Sequence, residues 1–272
     1  MKDLFIDLFS RKPSEITGGD YYFGADGDGD NFNETDADLW LNGGRFKSNW
    51  ESAAKTQNNN VLNEMYAVLL NKVGKKPSPF LEIACGPGMG LTPVILSQYP
   101  KLPCLVSDAC SLLIKSWRKY IDTALQQYDI NLASFSVTDM PLKSGSFDTV
   151  TSFIGVSSTR AGEQGKIQAI REIFRVLKPG GYFIAIENEW TDFDAIKKVF
   201  ELWGKPEWSG MEKEKTWKWR ERFSECGFDA ESCDKTYSNY LTKNSNDLGE
   251  QADKFGIKIG MKFTLFILRK PG

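Results

Sequence analysis

The segment FLEIACGPGMG, residues 80–90, constrains the fold more than any other stretch of the chain. A short apolar run ends in glycines and a helical pattern follows, the strand, turn and helix that open an α/β unit; the glycines supply backbone conformations that side chains disfavour. The alternation then repeats. LTPVILSQY is predicted as a helix ended near Pro100, PCLVSD as a strand, and Leu112, Leu113, Trp117, Tyr120 and Ile121 mark another helix. FDTVTSFIG reads as a buried strand, Ile167, Ile170, Phe174 and Leu177 as a helix, and the turn KPGG leads into the apolar strand YFIAIE. Strands alternating with helices imply a parallel sheet covered on both faces.

The flanking segments are less regular. LASFSVTD alternates Ala133, Phe135 and Val137 with Ser134, Ser136 and Thr138, the period of a strand with one wetter face, which suits a sheet edge. Helices are expected from Ser48 to about Val73, from Asp194 to Trp203 and from Glu212 to Cys226. ESCDKTYSNYL and IGMKFTLFILR then read as two strands with no convincing helix between them, hence as antiparallel neighbours. Residues 1–46 form an acidic, aromatic-containing arm: Pro13 to Gly44 holds no Lys or Arg, yet Tyr21, Tyr22, Phe23, Phe32 and Trp40 predict that it packs on the domain of residues 47–272. Within it, DGDGDNFNETDA imitates a calcium loop but offers Asn31 at the glycine position and Ala37 where a bidentate Glu should close the cage, so a solvated acidic loop is the favoured reading.

Composition removes several chemistries. Histidine is absent from the 272 residues, which excludes Ser-His-Asp and Cys-His nucleophile systems and His-ligated metals. Five scattered cysteines without a CxxC pair indicate neither a disulfide framework nor a zinc knuckle, so no metal is expected. A net charge of -2 disfavours nucleic acid as a partner. The opening MKDLFIDLFSRKPS is too short in apolar residues for a signal-peptide core, and no later run approaches a membrane span; a cytoplasmic address is expected. Nothing in the sequence signals an oligomeric state.

Three ligand classes use a glycine turn of this kind. A phosphate-binding P-loop needs Gly-Lys-Ser/Thr, and Gly90 is followed by Leu91 and Thr92. A dinucleotide turn wants a third small residue where Leu91 stands. Glu82-x-Ala84-x-Gly86-x-Gly88, by contrast, resembles motif I of the class I S-adenosylmethionine-dependent methyltransferases, with Ala84 in place of the commoner first glycine. Asp108 closes the second strand, Asp139 and Met140 close the third in SVTDMPLKSGSFD, and REIFRVLKPGGYFIAIE is similar to the family's helix, turn and fifth strand.

The resemblance extends over roughly residues 47–272 and implies a seven-stranded, mostly parallel sheet in the order 3-2-1-4-5-7-6, strand 7 antiparallel, with helices on both faces. It implies S-adenosylmethionine as cofactor, with Glu82, Ala84, Cys85, Gly86, Gly88, Asp108, Ala109, Asp139, Met140 and Phe153 around it. Asp108 would accept from the ribose hydroxyls and Asp139 from the adenine amino group, though each also suits a helix cap or turn. Glu82 either orients loops or reaches the methionine ammonium through water, and Cys85 reads as a packed loop residue.

The acceptor belongs beyond the carboxyl ends of the strands, which nominates Arg160, Glu187 and Trp190, with Tyr21 and Tyr22 if the arm is a lid. For Arg160 and Glu187 the bland readings, a solvated arginine and an acid leading to a helix, are favoured. Ser152-Phe153-Ile154-Gly155 lacks the Asn/Asp-Pro-Pro-Tyr/Phe box of the amino-methylating members, so a small-molecule O, N or C acceptor is preferred. An NAD(P)-dependent oxidoreductase and a non-catalytic methyltransferase-like binding module are the alternatives.

Overall fold

The computed structural model describes residues 4–24, 32–55, 60–75, 77–159, 162–205, 213–231, 235–241 and 247–272. Its strands are β1 (Glu15–Thr17), β2 (Asp20–Tyr22), β3 (Phe80–Glu82), β4 (Cys104–Asp108), β5 (Ile130–Ser134), β6 (Phe147–Phe153), β7 (Leu177–Trp190), β8 (Asp229–Glu231), β9 (Thr236–Tyr240) and β10 (Gly260–Arg269). The helices are α1 (Glu34–Leu41), α2 (Arg45–Lys55), α3 (Asn60–Lys75), α4 (Thr92–Gln98), α5 (Ser111–Ala124), α6 (Gly162–Val176), α7 (Phe193–Trp203), α8 (Trp219–Glu225) and α9 (Asp247–Lys254). Among the described residues no helix is long and apolar enough to cross a membrane.

One mixed sheet runs in the order β1-β2-β5-β4-β3-β6-β7-β10-β8, with β9 also paired to β10. β3, β4, β5, β6 and β7 are mutually parallel, and β10 is antiparallel to β7, β8 and β9. The sheet therefore has ten strands rather than seven, and its order departs from the expectation at both sides. Strand β5 is not an edge, because β2 pairs with it in parallel, Tyr21 opposite Ala133 and Tyr22 opposite Ser134. Its one serine is not wet either: Ser134 is fully buried, bonded to Ser111 and the Ala109 carbonyl, while the half-buried Ser136 and Thr138 lie beyond the strand.

The arm joins the core by three devices. Gly18 and Gly19, with φ of 62° and 85°, make the two-residue turn between β1 and β2, where left-handed backbone is required at both positions. Asp20 is fully buried, and both its oxygens accept from the Arg118 guanidinium of α5 at 2.6 to 3.1 Å. Residues Phe5 to Arg11 run along the segment after β5, with Ser10 donating to the Pro141 carbonyl and Lys143 to that of Leu8.

Two apolar cores cover the sheet. One packs α2, α3, α4 and α5 residues such as Trp50, Leu69, Ile95 and Trp117 against Phe80, Val106 and Ile184; the other packs Ile170, Ile173 and Phe223 against Leu81, Leu105 and Phe183. A third, smaller core joins α7 to α9 through Ile196, Val199, Leu248 and Ala252. Three local expectations are corrected. The helix expected from Ser48 to Val73 is two helices, α2 and α3; the strand expected over 231–241 is divided between β8 and β9; and α9 stands where no helix was expected. KPGG lies within β7 as a bulge, since Phe147 pairs with Leu177 and Thr149 with Tyr182. A side chain on Gly181 would meet the Lys178 and Asp148 carbonyls at 2.9 and 3.0 Å, which explains the glycine there.

Candidate active site

The turn after β3 is wound around Glu82. Ala84, Gly86, Met89 and Gly90 all have positive φ, 46°, 55°, 62° and 56°, so the loop curls back until the Leu91 N–H donates to Glu82 Oε1 at 3.1 Å. Thr151 on β6 donates its hydroxyl to Oε2. A Cβ on Gly90 would stand 1.8 Å from Glu82 Oε1, so this glycine is needed for space as well as for φ. Glu82 is 0% exposed, and burial pushes its carboxyl up to about 8 against the pull of Thr151 and Leu91. Of the two roles expected for it, the loop brace is the one its contacts display. Cys85 is buried, and the same desolvation pushes its thiol well above the usual value, as befits a packed residue. Gly88 turns toward α2, where a Cβ would meet Asn49 Nδ2 at 3.2 Å.

Beside this turn, Asp108 ends β4. Its Oδ2 accepts from the Gly86 N–H at 2.9 Å and its Oδ1 from the Cys110 N–H at 2.9 Å, so one carboxylate ties the glycine turn to the start of α5. The two readings of Asp108, ligand group and local cap, are thus not exclusive. Both loops open onto a cleft of about 320 Å3, within the range of small-molecule sites. Ala84, Gly86 and Pro87 line it from the first turn, Asp108, Ala109, Cys110 and Leu113 from the second, and Phe135, Ser136 and Val137 from the third. Gly155, Ser158 and Thr159 line it after β6, and Phe32, Asp36 and Trp40 from the arm.

Two electrostatic features decide which ligand this cleft suits. None of its described lining residues is Lys or Arg, whereas Asp36 and Asp108 are acids. The start of α4, where a dinucleotide fold would receive a pyrophosphate, is filled by the Glu82 carboxylate instead. A phosphate there would find the Leu91 N–H already engaged by a buried side chain. A nucleoside joined to a cationic sulfonium and a zwitterionic tail meets no such conflict, so the residues present fit S-adenosylmethionine.

Several expected residues lie elsewhere. Asp139 is exposed and paired with Arg11 at 2.8 Å, because residues 139–143 leave the sheet to run beside the N-terminal segment. Met140 is buried in the second core and its N–H donates to Glu172. Neither lines the cleft; Ser136 and Val137, a few residues earlier, do. Phe153 stacks on Phe263 across the sheet with ring centroids 6.3 Å apart. Tyr21 and Tyr22 point to opposite faces of β2 and are buried in the two cores, away from the cleft. Trp190 lines a separate hollow with Phe193, Trp217 and Trp219. Glu187, expected near the acceptor, is fully buried and accepts from the N–H groups of Val156 and Ser157 at 3.1 and 3.0 Å and from the Ser157 hydroxyl. Arg160 lies outside the described residues, as do Asp26 to Asn31 of the acidic loop, while Asn33 of that loop caps α1.

The arm's contribution was missed at the level of residues. Asn33 accepts from Thr35 and Asp36, and Asp36 accepts from Asn33, a reciprocal box that starts α1 and presents Phe32, Asp36 and Trp40 to the cleft. The signal was legible as Asn33-x-x-Asp36 ahead of Leu39 and Trp40.

Residues 81–185 match the methyltransferase domain family. The chain is 26% identical over 123 residues to the ubiquinone/menaquinone biosynthesis C-methyltransferase UbiE of Bartonella henselae, covering 45% of this chain and 46% of that protein. It is 39% identical over 66 residues to the demethylmenaquinone methyltransferase of Lactococcus lactis, covering 24% of this chain and 25% of that one. The matched segment thus spans less than half the length of either relative. Among solved structures, the YcgJ protein of Bacillus subtilis superposes with a TM-score of 0.54 at 14% identity, covering 77% of this chain and 99% of that one. An S-adenosylmethionine-dependent methyltransferase of Methanosarcina mazei gives 0.51 at 16% identity, covering 75% and 97%. Family match, strand topology and the occupied helix start agree: residues 81–185 match the methyltransferase domain family, and the fold around them is similar to that of class I S-adenosylmethionine-dependent methyltransferases.

Proposed function

We propose that this chain transfers a methyl group from S-adenosylmethionine to a small organic molecule. The observation that carries the reading is the Asp108 carboxylate, fixed to the Gly86 N–H at the mouth of a cleft free of described cations and next to a helix start already filled by Glu82. Asp108 would take the ribose hydroxyls, since an ionised carboxylate accepts about four hydrogen bonds. Ala84 and Gly86 would offer close-approaching backbone over the packed Cys85, and Ala109, Leu113, Phe135, Ser136 and Val137 would enclose the base. When bound, the cofactor supplies a methyl group already activated on a sulfonium.

What remains for the protein is alignment and exclusion of water, which can supply much of the rate of a displacement. Phe32, just ahead of α1, and Asp36 and Trp40 on it would do this by covering the cleft, making this part of the arm belong to the working site. Relatives named for C-methylation in ubiquinone/menaquinone biosynthesis support a small organic acceptor. The oxidoreductase alternative is disfavoured by the acid at the start of α4. Incubating the chain with methyl-labelled S-adenosylmethionine and a small-molecule cell extract tests the proposal: label should enter a low-molecular-mass product, and cofactor binding with no labelled product from any extract would favour a non-catalytic binding module.

A further inference from the structure

We infer that Asp36, carried on α1 of the N-terminal arm, accepts the adenine amino group of the cofactor and so selects the base. The inference deepens the methyl-transfer reading above and rests on it. Sequence alone gives this contact to Asp139, yet Asp139 is exposed and paired with Arg11 at 2.8 Å. Of the cleft residues that follow β5, Ser136 has the polar side chain, and its hydroxyl is already engaged by the Thr138 hydroxyl at 2.8 Å and the Thr138 N–H at 3.3 Å. The carboxylates among the described lining residues are Asp108 and Asp36.

With Asp108 at the ribose, the sheet order decides where the base lies. In the run β5-β4-β3-β6, Asp108 ends β4. Toward β3 and β6 the cleft is lined by the small residues Ala84, Gly86 and Gly155, which leave room for an extended tail. Toward β5 it is lined by Phe135 and Val137, and after β4 by Cys110 and Leu113, an apolar wall that suits a ring. α1 is fastened to that wall. Phe32 and Ala37 share one apolar core with Cys110 and Leu113, and the Cys110 thiol reaches the Phe32 carbonyl at 3.9 Å.

The box that starts α1 also holds the acid in place. Asp36 Oδ2 accepts from the Asn33 N–H at 3.0 Å, which fixes the side chain, and a carboxylate so bonded keeps lone pairs for an incoming N–H donor. The group is half-buried, where a charge-assisted bond is stronger than in open water. Trp40, four residues on, lines the cleft from the same face of the helix. A purine with a carbonyl oxygen in place of the amino group would set that oxygen against the carboxylate, so one residue both binds adenine and rejects its deaminated form.

Calorimetry of the full chain with three ligands tests this: S-adenosylhomocysteine, its purine-riboside analogue, which lacks the amino group, and its inosine analogue, which carries a carbonyl oxygen there. In the unaltered chain, loss of the amino group should weaken binding about tenfold or more, and the inosine analogue should bind more weakly still. In Asp36→Ala the adenosine and purine-riboside ligands should bind equally; the lost helix cap affects both alike, so their ratio isolates the contact. Asp36→Asn keeps an oxygen for the cap and gains an amide donor, which should move preference toward the inosine analogue. Ser136→Ala should keep the ratio of the unaltered chain. The assignment is overturned if removing the amino group costs the unaltered chain nothing, if it costs Asp36→Ala as much as the unaltered chain, or if Ser136→Ala is the variant that abolishes the difference. Failure of the unaltered chain to bind S-adenosylhomocysteine contradicts the methyl-transfer reading itself, whereas tight binding with Asp36 uncoupled from the amino group overturns the Asp36 assignment alone.

Discussion

At the scale of single residues, the cleft is built from backbone that side chains normally avoid. Ala84 and Ile154 have φ of 46° and 60° and end the first turns of two adjacent strands, and Ile154 is β-branched, which makes its left-handed backbone a true outlier. Strain of this kind is held in place by surrounding contacts and gathers at functional sites. Gly155 shows how tightly the two loops meet, since a Cβ there would stand 3.0 Å from that of Ala84. Replacing Ala84 by Gly removes a left-handed penalty of about 1 kcal/mol, so denaturant unfolding should show stability unchanged or slightly raised. Gly90→Ala does the opposite: its methyl would displace the Glu82 carboxylate, with an expected loss of about 3 kcal/mol and of cofactor binding in the same sample. Asp108→Asn keeps the shape but loses the charge and sets an NH2 donor against one of the two backbone N–H groups; affinity for S-adenosylmethionine should fall about tenfold or more, and the thermal midpoint should drop by about 2 to 4 °C.

At the scale of elements, legibility followed burial. β3, β4, β6 and the apolar part of β7 are continuous runs because both faces of the sheet are covered, and such runs announce themselves. α9 did not, because within this short helix Leu248 and Ala252 are the apolar side chains packed against α7, so its pattern resembles a polar linker. β5 was read as an edge from its serines, yet Ser134 faces the Ser111 hydroxyl and the Ala109 carbonyl rather than water; a hydrogen-bonded interior serine and a solvated one look alike in sequence. Asp139 failed for a related reason: it was expected to close the third strand, but β5 ends at Ser134, and the N-terminal segment that pairs with Asp139 is 128 residues away in sequence. The arm's attachment carries its own prediction. Asp20→Ala leaves the Arg118 guanidinium without its bidentate partner, and urea unfolding should show a loss of about 2 to 3 kcal/mol.

At the scale of the whole molecule, two buried carboxylates organise one end of the sheet, Glu82 holding the loop after β3 and Glu187 the loop after β6. Burial raises both, from the usual 4.5 to about 8 and about 7, so the folded state holds protons that the unfolded chain has released. Their contribution to stability is full below about pH 4.5 and is lost as pH rises through 7 and 8. Unfolding free energy from these groups should therefore fall across that window, and Glu82→Gln or Glu187→Gln should flatten the slope. The cleft suits an adenosyl sulfonium because Asp36 and Asp108 line it and Glu82 already fills the helix start where a pyrophosphate would bind. Calorimetric titration of the full chain with S-adenosylmethionine, its demethylated product and NAD tests this most directly. Binding of the first two should be saturable and weakened in Asp108→Asn, with none of NAD; binding of NAD with indifference to S-adenosylmethionine would contradict this reading of the cleft.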